Sequence, residues 1–248
     1  MKSISVAMPA YNEAENIEAM IRDVIQVMDT LADDYEVIVV DDGSSDGTAQ
    51  AVRSLEQQHP AVRLVQHPVN RGYGAAVFSG LTSANKDLVF FTDSDRQFDL
   101  QEIEKLLDLM DKADLVVGYR APRRDPFMRK LNGWGWSALV TLLFGYTARD
   151  IDCAFKLMRR DVIEQIKDEV ASRGATFSAE FLVRAKRAGF RIREVPLHGH
   201  RPRVAGSQTG ARPDVIIRAF KELIRFRMVL WQEGNSSRGD QGVGDIGQ

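Results

Sequence analysis

Short apolar runs alternate with helical patterns through the first half of this chain, and this alternation constrains the fold more than any other feature. Runs rich in β-branched and aromatic residues predict strands at residues 3–8, 35–40, 62–66, 88–92 and 115–117. Helical spacing of apolar residues predicts helices at 13–28, 46–57, 73–84 and 100–110. The repeated β-α-β order therefore predicts an α/β fold, with a mostly parallel sheet and helices on both faces.

The rhythm changes after Arg120, where a basic segment with two prolines predicts a loop. Later patterns predict helices at 127–144, 177–187 and 213–231 and a strand at 190–197. We expect one domain over residues 1–211 and an amphipathic helix over 212–232. A disordered tail is expected over 233–248, because five of those sixteen residues are glycine.

Composition excludes several classes of protein. Hydrophobic residues make up 44% and charged residues 27% of the 248, which excludes wholesale disorder. No run of about 18–20 uncharged apolar residues is present, so the sequence predicts no membrane-spanning helix. One cysteine, Cys153, excludes an internal disulfide and a multi-cysteine metal site. Residues 184–227 carry twelve Lys or Arg against three Asp or Glu; this basic surface favours phosphate, and no nucleic-acid partner is predicted.

Two predicted strands end in paired acids, Asp41-Asp42 and Asp93-Ser94-Asp95. Ligands of parallel sheets bind beyond the carboxyl ends of strands. One such aspartate could equally be a turn or helix cap, but two pairs of neighbouring carboxylates favour a cation between them. Alternation lets Asp93 and Asp95 point to one side, and their oxygen atoms suit Mg²⁺ or Mn²⁺.

Two further segments flank these acids. Pro9, Tyr11 and Glu13 follow the first strand, where a proline and an aromatic ring could wall a planar base, although Glu13 could instead cap the next helix. The turn at Gly72 opens a helix and could approach phosphate closely. Neither a Walker lysine pattern nor a GxGxxG after the first strand is present, which disfavours phosphoryl transfer from ATP and NAD binding.

The chain resembles glycosyltransferase family 2, with the Rossmann-like GT-A fold, through several segments taken in order. These are PAYNEAENI, VDDGSSDGT, NRGYGAA, TDSDRQFD, GYR, DIDCAFKL, FSAEFLVRAKRAGF and REVPL, and the likeness covers residues 3–210. Within the family it resembles dolichol-phosphate mannose synthases and bacterial polyprenyl-phosphate glycosyltransferases. The resemblance implies a nucleotide-diphosphate sugar donor, a divalent metal (Mg or Mn) and a polyprenyl phosphate acceptor.

The resemblance also implies roles for individual residues. The metal would be held by Asp93, Asp95 and Gln97. Catalytic roles would fall to Asp95, Arg120, Arg129, Asp150 and Glu180. Donor and acceptor would be bound by Pro9, Tyr11, Glu13, Asp41, Asp42, Gly72, Asp93, Arg129, Lys130, Arg201 and Arg203.

The chain departs from the family pattern at two positions. Ala154 stands where a glycine is usual, and Gln208 stands where a lysine is usual. The second change removes a positive charge, for which Arg203 or Arg212 would have to compensate. It therefore leaves the identity of the acceptor open.

A phosphate acceptor is already anionic at neutral pH, since its second pKa is about 6. We therefore expect in-line displacement with inversion, without a strong general base. GDP-mannose is the first donor we expect and UDP-glucose the second. A sugar-hydroxyl acceptor would instead need a base, for which Asp150 and Glu180 are the candidates.

The helix at 213–231 combines apolar and basic residues, as interfacial helices do. We expect a peripheral protein on the cytoplasmic face of a membrane; the alternative is a helix packed on its own domain or on another subunit. Two other functions remain open. One is a family 2 transferase that uses a soluble hydroxyl acceptor. The other is a non-catalytic nucleotide-sugar-binding scaffold, with a membrane-protein or homo-oligomer partner on this helix.

Overall fold

The computed structural model describes residues 2–122, 127–201 and 213–239, with side chains at 2–122, 133–201 and 218–233. Its strands are β1 (Ser3–Ala10), β2 (Asp34–Asp41), β3 (Val62–Gln66), β4 (Leu88–Thr92), β5 (Leu115–Arg120), β6 (Phe155–Arg159) and β7 (Ile192–Leu197). Its helices are α1 (Ile17–Leu31), α2 (Thr48–Gln58), α3 (Tyr73–Thr82), α4 (Ile103–Leu107), α5 (Phe127–Phe144), α6 (Arg160–Ile166), α7 (Phe177–Arg187) and α8 (Pro213–Gly239).

The strands form one sheet in the order β3-β2-β1-β4-β6-β5-β7. β1 pairs in parallel with β2 and β4, and β5 pairs in parallel with β7. This confirms the predicted mostly parallel sheet. β6 was not predicted; it runs antiparallel between β4 and β5. A fully buried lysine, Lys156, interrupts its apolar run, which is why the pattern did not indicate a central strand.

Helices cover both faces of the sheet, as predicted. One face buries apolar residues of α1 and α2, such as Ile21 and Leu55. The other buries residues of α3, α7 and α8, such as Leu81, Leu182 and Leu223. Since both faces are covered, the edge at the carboxyl ends of β1, β2 and β4 is the place where a ligand can approach the sheet.

The C-terminal helix is longer than predicted. α8 continues to Gly239, past its predicted end at residue 232, and the disordered tail stays a prediction for the residues beyond. Glu233 extends the helix contact with the domain because its carboxylate pairs with the buried Arg184, at 2.9 and 3.0 Å. Residues 240–248 lie outside the described part. Among the described residues, every helix is too short or too polar to cross a membrane.

Candidate active site

A cleft of about 180 Å³ opens where the carboxyl ends of β1, β2 and β4 meet. Parallel pairing of β1 with both neighbours places these three strand ends side by side. The cleft is lined by Pro9, Ala10, Tyr11, Glu13, Asp42, Tyr73, Ala76, Asp93, Ser94 and Asp95. The structure thus brings together six predicted site residues from three separate segments.

The first acid pair is engaged within the protein. Asp41 is fully buried and accepts hydrogen bonds from the Ser44 amide and the Gln66 side chain, both at 3.2 Å. Asp42 accepts from the backbone amides of Arg71 (2.9 Å) and Gly72 (2.8 Å). Asp42 reaches the cleft, whereas Asp41 does not line it. This pair therefore holds the loops around the cleft.

His67, which the sequence analysis did not single out, supports Asp42 from beneath. Its Nδ1 lies 2.6 Å from an oxygen of Asp42 and its Nε2 lies 2.9 Å from the Ser79 hydroxyl. The ring is only 5% exposed. A histidine after a predicted strand was the available signal, but histidine alone does not say which carboxylate it will meet.

The second acid pair faces the cleft. Between its members, the Ser94 hydroxyl donates to the Pro9 carbonyl at 2.9 Å, which turns Ser94 toward β1. Asp93 and Asp95 lie on either side of it, and both line the cleft. Asp93 accepts from the Tyr73 hydroxyl at 2.9 Å. Asp93 and Asp95 thus line one cleft, and their common role as metal ligands stays a prediction.

These carboxylates fit a hard divalent cation shared with a ligand. Among the described side chains, no group of three His, Cys, Asp or Glu could hold a metal alone. Mg²⁺ is commonly bound by one or two carboxylates together with phosphate oxygens and water, which is the donor set that Asp93 and Asp95 could start. Gln97 does not line the cleft, and its side-chain nitrogen donates to the Arg201 carbonyl at 2.9 Å. Its predicted metal role stays a prediction.

The turn before α3 brings the Tyr73 hydroxyl to Asp93. Gly72 has φ +97°, and an added Cβ on Gly74 would lie 2.5 Å from the Gly174 carbonyl oxygen, so both positions need glycine. The Gly72 amide donates to Asp42 at 2.8 Å, and the predicted close approach of this turn to a phosphate stays a prediction. Burial of the hydroxyl, together with nearby carboxylates, chiefly Asp93, holds the pKa of Tyr73 well above its ordinary value. Tyr73 is therefore a protonated hydrogen-bond donor at neutral pH.

Two predicted catalytic residues form an ion pair away from the lining of the cleft. Arg120 donates to Asp150 through Nε at 2.7 Å and through a terminal nitrogen at 2.8 Å. Both side chains are largely buried, at 13% and 8% exposure. A carboxylate in a buried bidentate pair with arginine is stabilised in its charged form and is a poor proton acceptor.

Glu180, also predicted to be catalytic, supports a loop. Its two carboxylate oxygens accept from the amides of Ala171 at 3.0 Å and Ser172 at 2.8 Å, and the residue is 2% exposed. The same loop carries Arg173, whose carbonyl accepts from the Ala75 amide at 2.9 Å. Glu180 is thus beneath the loop that contacts the Tyr73 turn, and it does not line the cleft.

The remaining predicted cations are placed only in part. Arg201 is exposed, and its amide donates to the Gln97 carbonyl at 2.7 Å, which joins its segment to the second acid pair. The side chains of Arg129 and Lys130 lie outside the described ones. Arg203, Gln208 and Arg212 also lie outside the described residues.

The sequence analysis did not identify Glu102, which holds the backbone of the segment that leads to Arg201. Glu102 accepts from the backbone amides of His198 and Gly199, both at 2.9 Å. Burial opposes its ionisation, but hydrogen bonds from the His198 amide and Lys105 outweigh burial and lower the pKa of Glu102. The sequence offers no signal for this role, because the amides that Glu102 binds lie about 96 residues further along the chain.

Residues 5–167 match the family profile described as glycosyl transferase family 2. Dolichyl-phosphate beta-glucosyltransferase ALG5C of Trichomonas vaginalis is 30% identical over 241 residues, which cover 90% of this chain and 71% of that protein. Glycosyltransferase AglD of Haloferax volcanii is 32% identical over 78% of this chain and 32% of its own length. An undecaprenyl-phosphate 4-deoxy-4-formamido-L-arabinose transferase of Photorhabdus laumondii is 32% identical over 66% of this chain and 51% of its own.

Solved structures show the same fold. Glucosyl-3-phosphoglycerate synthase of Mycobacterium tuberculosis, crystallised with Mn²⁺, UDP and glucosyl-3-phosphoglycerate, matches with a TM-score of 0.67 at 22% identity, over 91% of this chain and 78% of that one. A crystal of that enzyme with Mn²⁺ and UDP-glucose matches with a TM-score of 0.65 at 22% identity, over 90% and 77% of the two chains. From the profile match and the relatives, this chain belongs to glycosyltransferase family 2 and has the GT-A fold.

Proposed function

We propose that this protein transfers a sugar from a nucleoside diphosphate to a polyprenyl phosphate at a membrane surface. A phosphate acceptor is favoured because both candidate general bases, Asp150 and Glu180, already bind other groups of the protein. Asp150 is in a bidentate pair with Arg120, and Glu180 binds two backbone amides. A sugar-hydroxyl acceptor would need a proton acceptor, whereas a phosphate acceptor is already an anionic nucleophile.

The donor is the finer part of the proposal. We expected GDP-mannose first from the sequence, but the likeness to a dolichyl-phosphate beta-glucosyltransferase favours UDP-glucose. The cleft offers the apolar edge of Pro9 and the half-exposed ring of Tyr11 to a base, and three of its acids follow the neighbouring strands β2 and β4. UDP-glucose is therefore the donor to test first, with GDP-mannose beside it.

The arrangement supports direct displacement at the anomeric carbon. When bound, a divalent cation would neutralise charge on the leaving diphosphate, and Asp93 with Asp95 would hold it. Tyr73, protonated at neutral pH, keeps Asp93 oriented through its hydroxyl. The attacking phosphate oxygen needs alignment and no proton removal, so one in-line step with inversion follows. An α-linked donor would then yield a β-linked product.

The membrane part of the proposal rests on an apolar surface formed by α5 and α8. The two helices are joined by ring contacts, Trp136 with Phe220 at 6.5 Å and Phe144 with Phe226 at 5.0 Å between centroids. Large apolar side chains on the outer side of both helices are exposed: Trp134, Leu142, Phe220, Ile224, Met228 and Trp231. Exposed tryptophan on an amphipathic helix is typical of the headgroup level of a bilayer.

The described acidic side chains of α8 face the domain and the described basic ones face solvent, an arrangement that suits contact with an anionic membrane surface. Over residues 218–233 both acids turn to the body of the domain, since Glu222 accepts from Thr176 at 2.6 Å and Glu233 pairs with Arg184. All four cations of that stretch are exposed: Arg218, Lys221, Arg225 and Arg227. Such a sorting favours anionic lipid, to which each cation adds about 1 kcal/mol near the surface.

Transfer of radiolabelled sugar into an organic phase tests the enzymatic proposal. Purified protein would be incubated with a short polyprenyl phosphate, Mg²⁺ or Mn²⁺, and labelled UDP-glucose or GDP-mannose. We expect label in the solvent phase with UDP-glucose, and its loss with EDTA. Donor hydrolysis without lipid labelling would contradict the acceptor, and no donor consumption at all would favour a non-catalytic binding protein.

Vesicle co-sedimentation tests the membrane surface separately. The double variant Lys221→Glu with Arg225→Glu should bind anionic vesicles at least about 30-fold more weakly than the wild type, because the loss of two surface cations alone removes about 2 kcal/mol. The matched control reverses two exposed cations elsewhere, Lys112→Glu with Arg193→Glu. Equal binding by both double variants and the wild type would rule out this surface, and self-association without vesicle binding would assign it to a second copy.

A further inference from the structure

His67 is a buried histidine whose place next to the cleft is set by the register of the sheet. β3 pairs in parallel with β2, and its last residue, Gln66, lies opposite Asp41. The His67 amide donates to the Asp41 carbonyl at 2.9 Å, which continues the pairing beyond the end of β3. The ring is thereby placed beside Asp42, the member of the first acid pair that lines the cleft.

Both ring nitrogens of His67 have a polar partner. Nδ1 lies 2.6 Å from Oδ1 of Asp42, and since a carboxylate only accepts hydrogen bonds, Nδ1 is the donor. Nε2 lies 2.9 Å from the Ser79 hydroxyl on α3, which fixes the plane of the ring. The side chains of His67 and Asp42 are 5% and 3% exposed, so water does not compete for their contact. A hydrogen bond to a charged group in such surroundings is stronger than one between neutral groups.

His67 orients the Asp42 carboxylate relative to the sheet, which its other hydrogen-bond partners do not. Those partners are the backbone amides of Arg71 and Gly72, at 2.9 and 2.8 Å, and both belong to the turn before α3. In the part of the chain whose side chains the structure describes, His67 is the one side chain that donates to Asp42. Without His67, the carboxylate would be oriented by that turn alone.

The same turn leads into Tyr73, which lines the cleft and whose hydroxyl donates to Asp93. A displacement of the Asp42 carboxylate would therefore move two parts of the cleft wall, the acid itself and the tyrosine that follows Gly72. His67 does not line the cleft, so its effect on a ligand acts through these groups.

We propose that His67 is a positioning residue for the nucleotide sugar: its Nδ1–H fixes the Asp42 carboxylate, and with it the turn at 71–73, before the donor binds. The inference rests on the proposed function of the cleft. A group that is already ordered loses little conformational freedom on binding, so the benefit should appear in donor affinity. The chemical step at the anomeric carbon should depend on His67 much less.

Two amide variants separate the contact with Asp42 from the rest of the ring. The side-chain nitrogen of His67→Asn is as many bonds from the backbone as Nδ1, so it can still donate to Asp42. The side-chain nitrogen of His67→Gln corresponds to Nε2 and extends toward Ser79 instead. Each variant keeps one polar contact of the ring and loses the other, so each is the matched control for its counterpart.

Calorimetry would measure the binding of UDP-glucose and of GDP-mannose, each with Mn²⁺, beside KM, kcat and the urea unfolding midpoint. For the nucleotide sugar that the wild type binds, we expect His67→Gln to raise the dissociation constant and KM about 5–10-fold, with kcat within about twofold of the wild type. His67→Asn should keep both constants within about twofold of the wild type. The unfolding midpoints of the two variants should be similar, because each loses one buried hydrogen bond.

The comparison of the two variants decides the inference. Weak donor binding by His67→Gln alone, at similar stability, supports it. Wild-type affinity in both variants overturns it, and so does equal weakening in both, since the whole ring would then matter. If neither variant folds, His67 is needed for folding and the inference is overturned. The binding measurement contains no acceptor, so a wrong acceptor leaves the test valid, whereas a wild type that binds neither nucleotide sugar overturns the proposed function.

Discussion

The two aspartate pairs follow strands on either side of β1, yet the structure uses them differently. Asp41 and Asp42 are almost completely buried, and their carboxylates accept hydrogen bonds from the surrounding loops. Asp93 and Asp95 both line the cleft, and the hydroxyl of Ser94 between them donates to the Pro9 carbonyl. Similar acidic motifs at neighbouring strand ends have thus become a loop anchor and a ligand-facing site.

The difference comes from what packs against each turn. Gly43 has φ +71°, and an added Cβ there would lie 2.5 Å from the backbone of Val69. This close approach brings the amides of residues 71 and 72 onto Asp42. The turn after β4 instead bonds back to β1 through Ser94, which leaves the alternate acids on the cleft. Whether an acid pair binds a loop or faces the cleft therefore depends less on the spacing of the acids than on the segment that packs against them.

Removal of a carboxylate of the second pair should have the largest effect on transfer. We expect Asp95→Ala to lower the transfer rate by about 10²–10³-fold, because under the proposed function Asp95 would bind the cation that neutralises the leaving diphosphate. The unfolding midpoint should change little. The control is Asp111→Asn, which removes an exposed carboxylate outside the cleft. Transfer by Asp95→Ala at the wild-type rate would contradict the division between the two pairs.

Removal of an anchoring carboxylate should affect stability first. Asp42→Asn places an amide where two backbone N–H groups and His67 converge, and we expect unfolding to become easier by about 2–4 kcal/mol. Transfer should fall about tenfold through the loosened turn. Urea unfolding beside initial rates measures both. If Asp42→Asn kept its stability but lost activity as Asp95→Ala does, the two pairs would be equivalent.

Removal of the Tyr73 hydroxyl, which donates a hydrogen bond to Asp93, should have a smaller effect on the transfer rate. Tyr73→Phe removes the hydrogen bond to Asp93 and should lower transfer about 3–10-fold. Since the pKa of Tyr73 is raised above its ordinary 10.0, the difference from wild type should stay constant over about pH 6–9. A difference that disappears within that range would show that Tyr73 ionises there.

Replacement of Asp114, which lies at the amino end of β5 and away from the cleft, should leave the transfer rate unchanged. Hydrogen bonds from Arg191 lower the pKa of Asp114, which precedes β5, from 3.8 to about 2. A lowered pKa stabilises the fold above pH 3.8, and this stability is lost as pH falls toward 2. The stability difference between wild type and Asp114→Asn should therefore shrink over that interval in urea titrations. A difference independent of pH would exclude the ion pair as its cause.

Much of the site was predictable because its residues follow strands that the apolar pattern identified. Pro9, Tyr11, Asp93 and Asp95 were expected together, and parallel pairing of β1 and β4 places them so. Asp150 and Glu180 were expected at the site, but neither lines the cleft: Asp150 pairs with Arg120, Glu180 binds two backbone amides, and their catalytic roles stay predictions. The groups that donate hydrogen bonds to these two carboxylates come from other segments of the chain. The local sequence around each acid does not indicate them.

The sequence by itself determined the α/β class, the strand ends that carry acids and the membership of family 2, because periodicity and motif order are local properties of the chain. Only the tertiary structure decided which acids stay open to a ligand, where β6 enters the sheet and how far α8 extends. Each of these depends on partners more than 20 residues away, such as Gly72 for Asp42, Phe91 for Lys156 and Arg184 for Glu233. Burial and hydrogen-bond competition between such partners arise only when the chain folds.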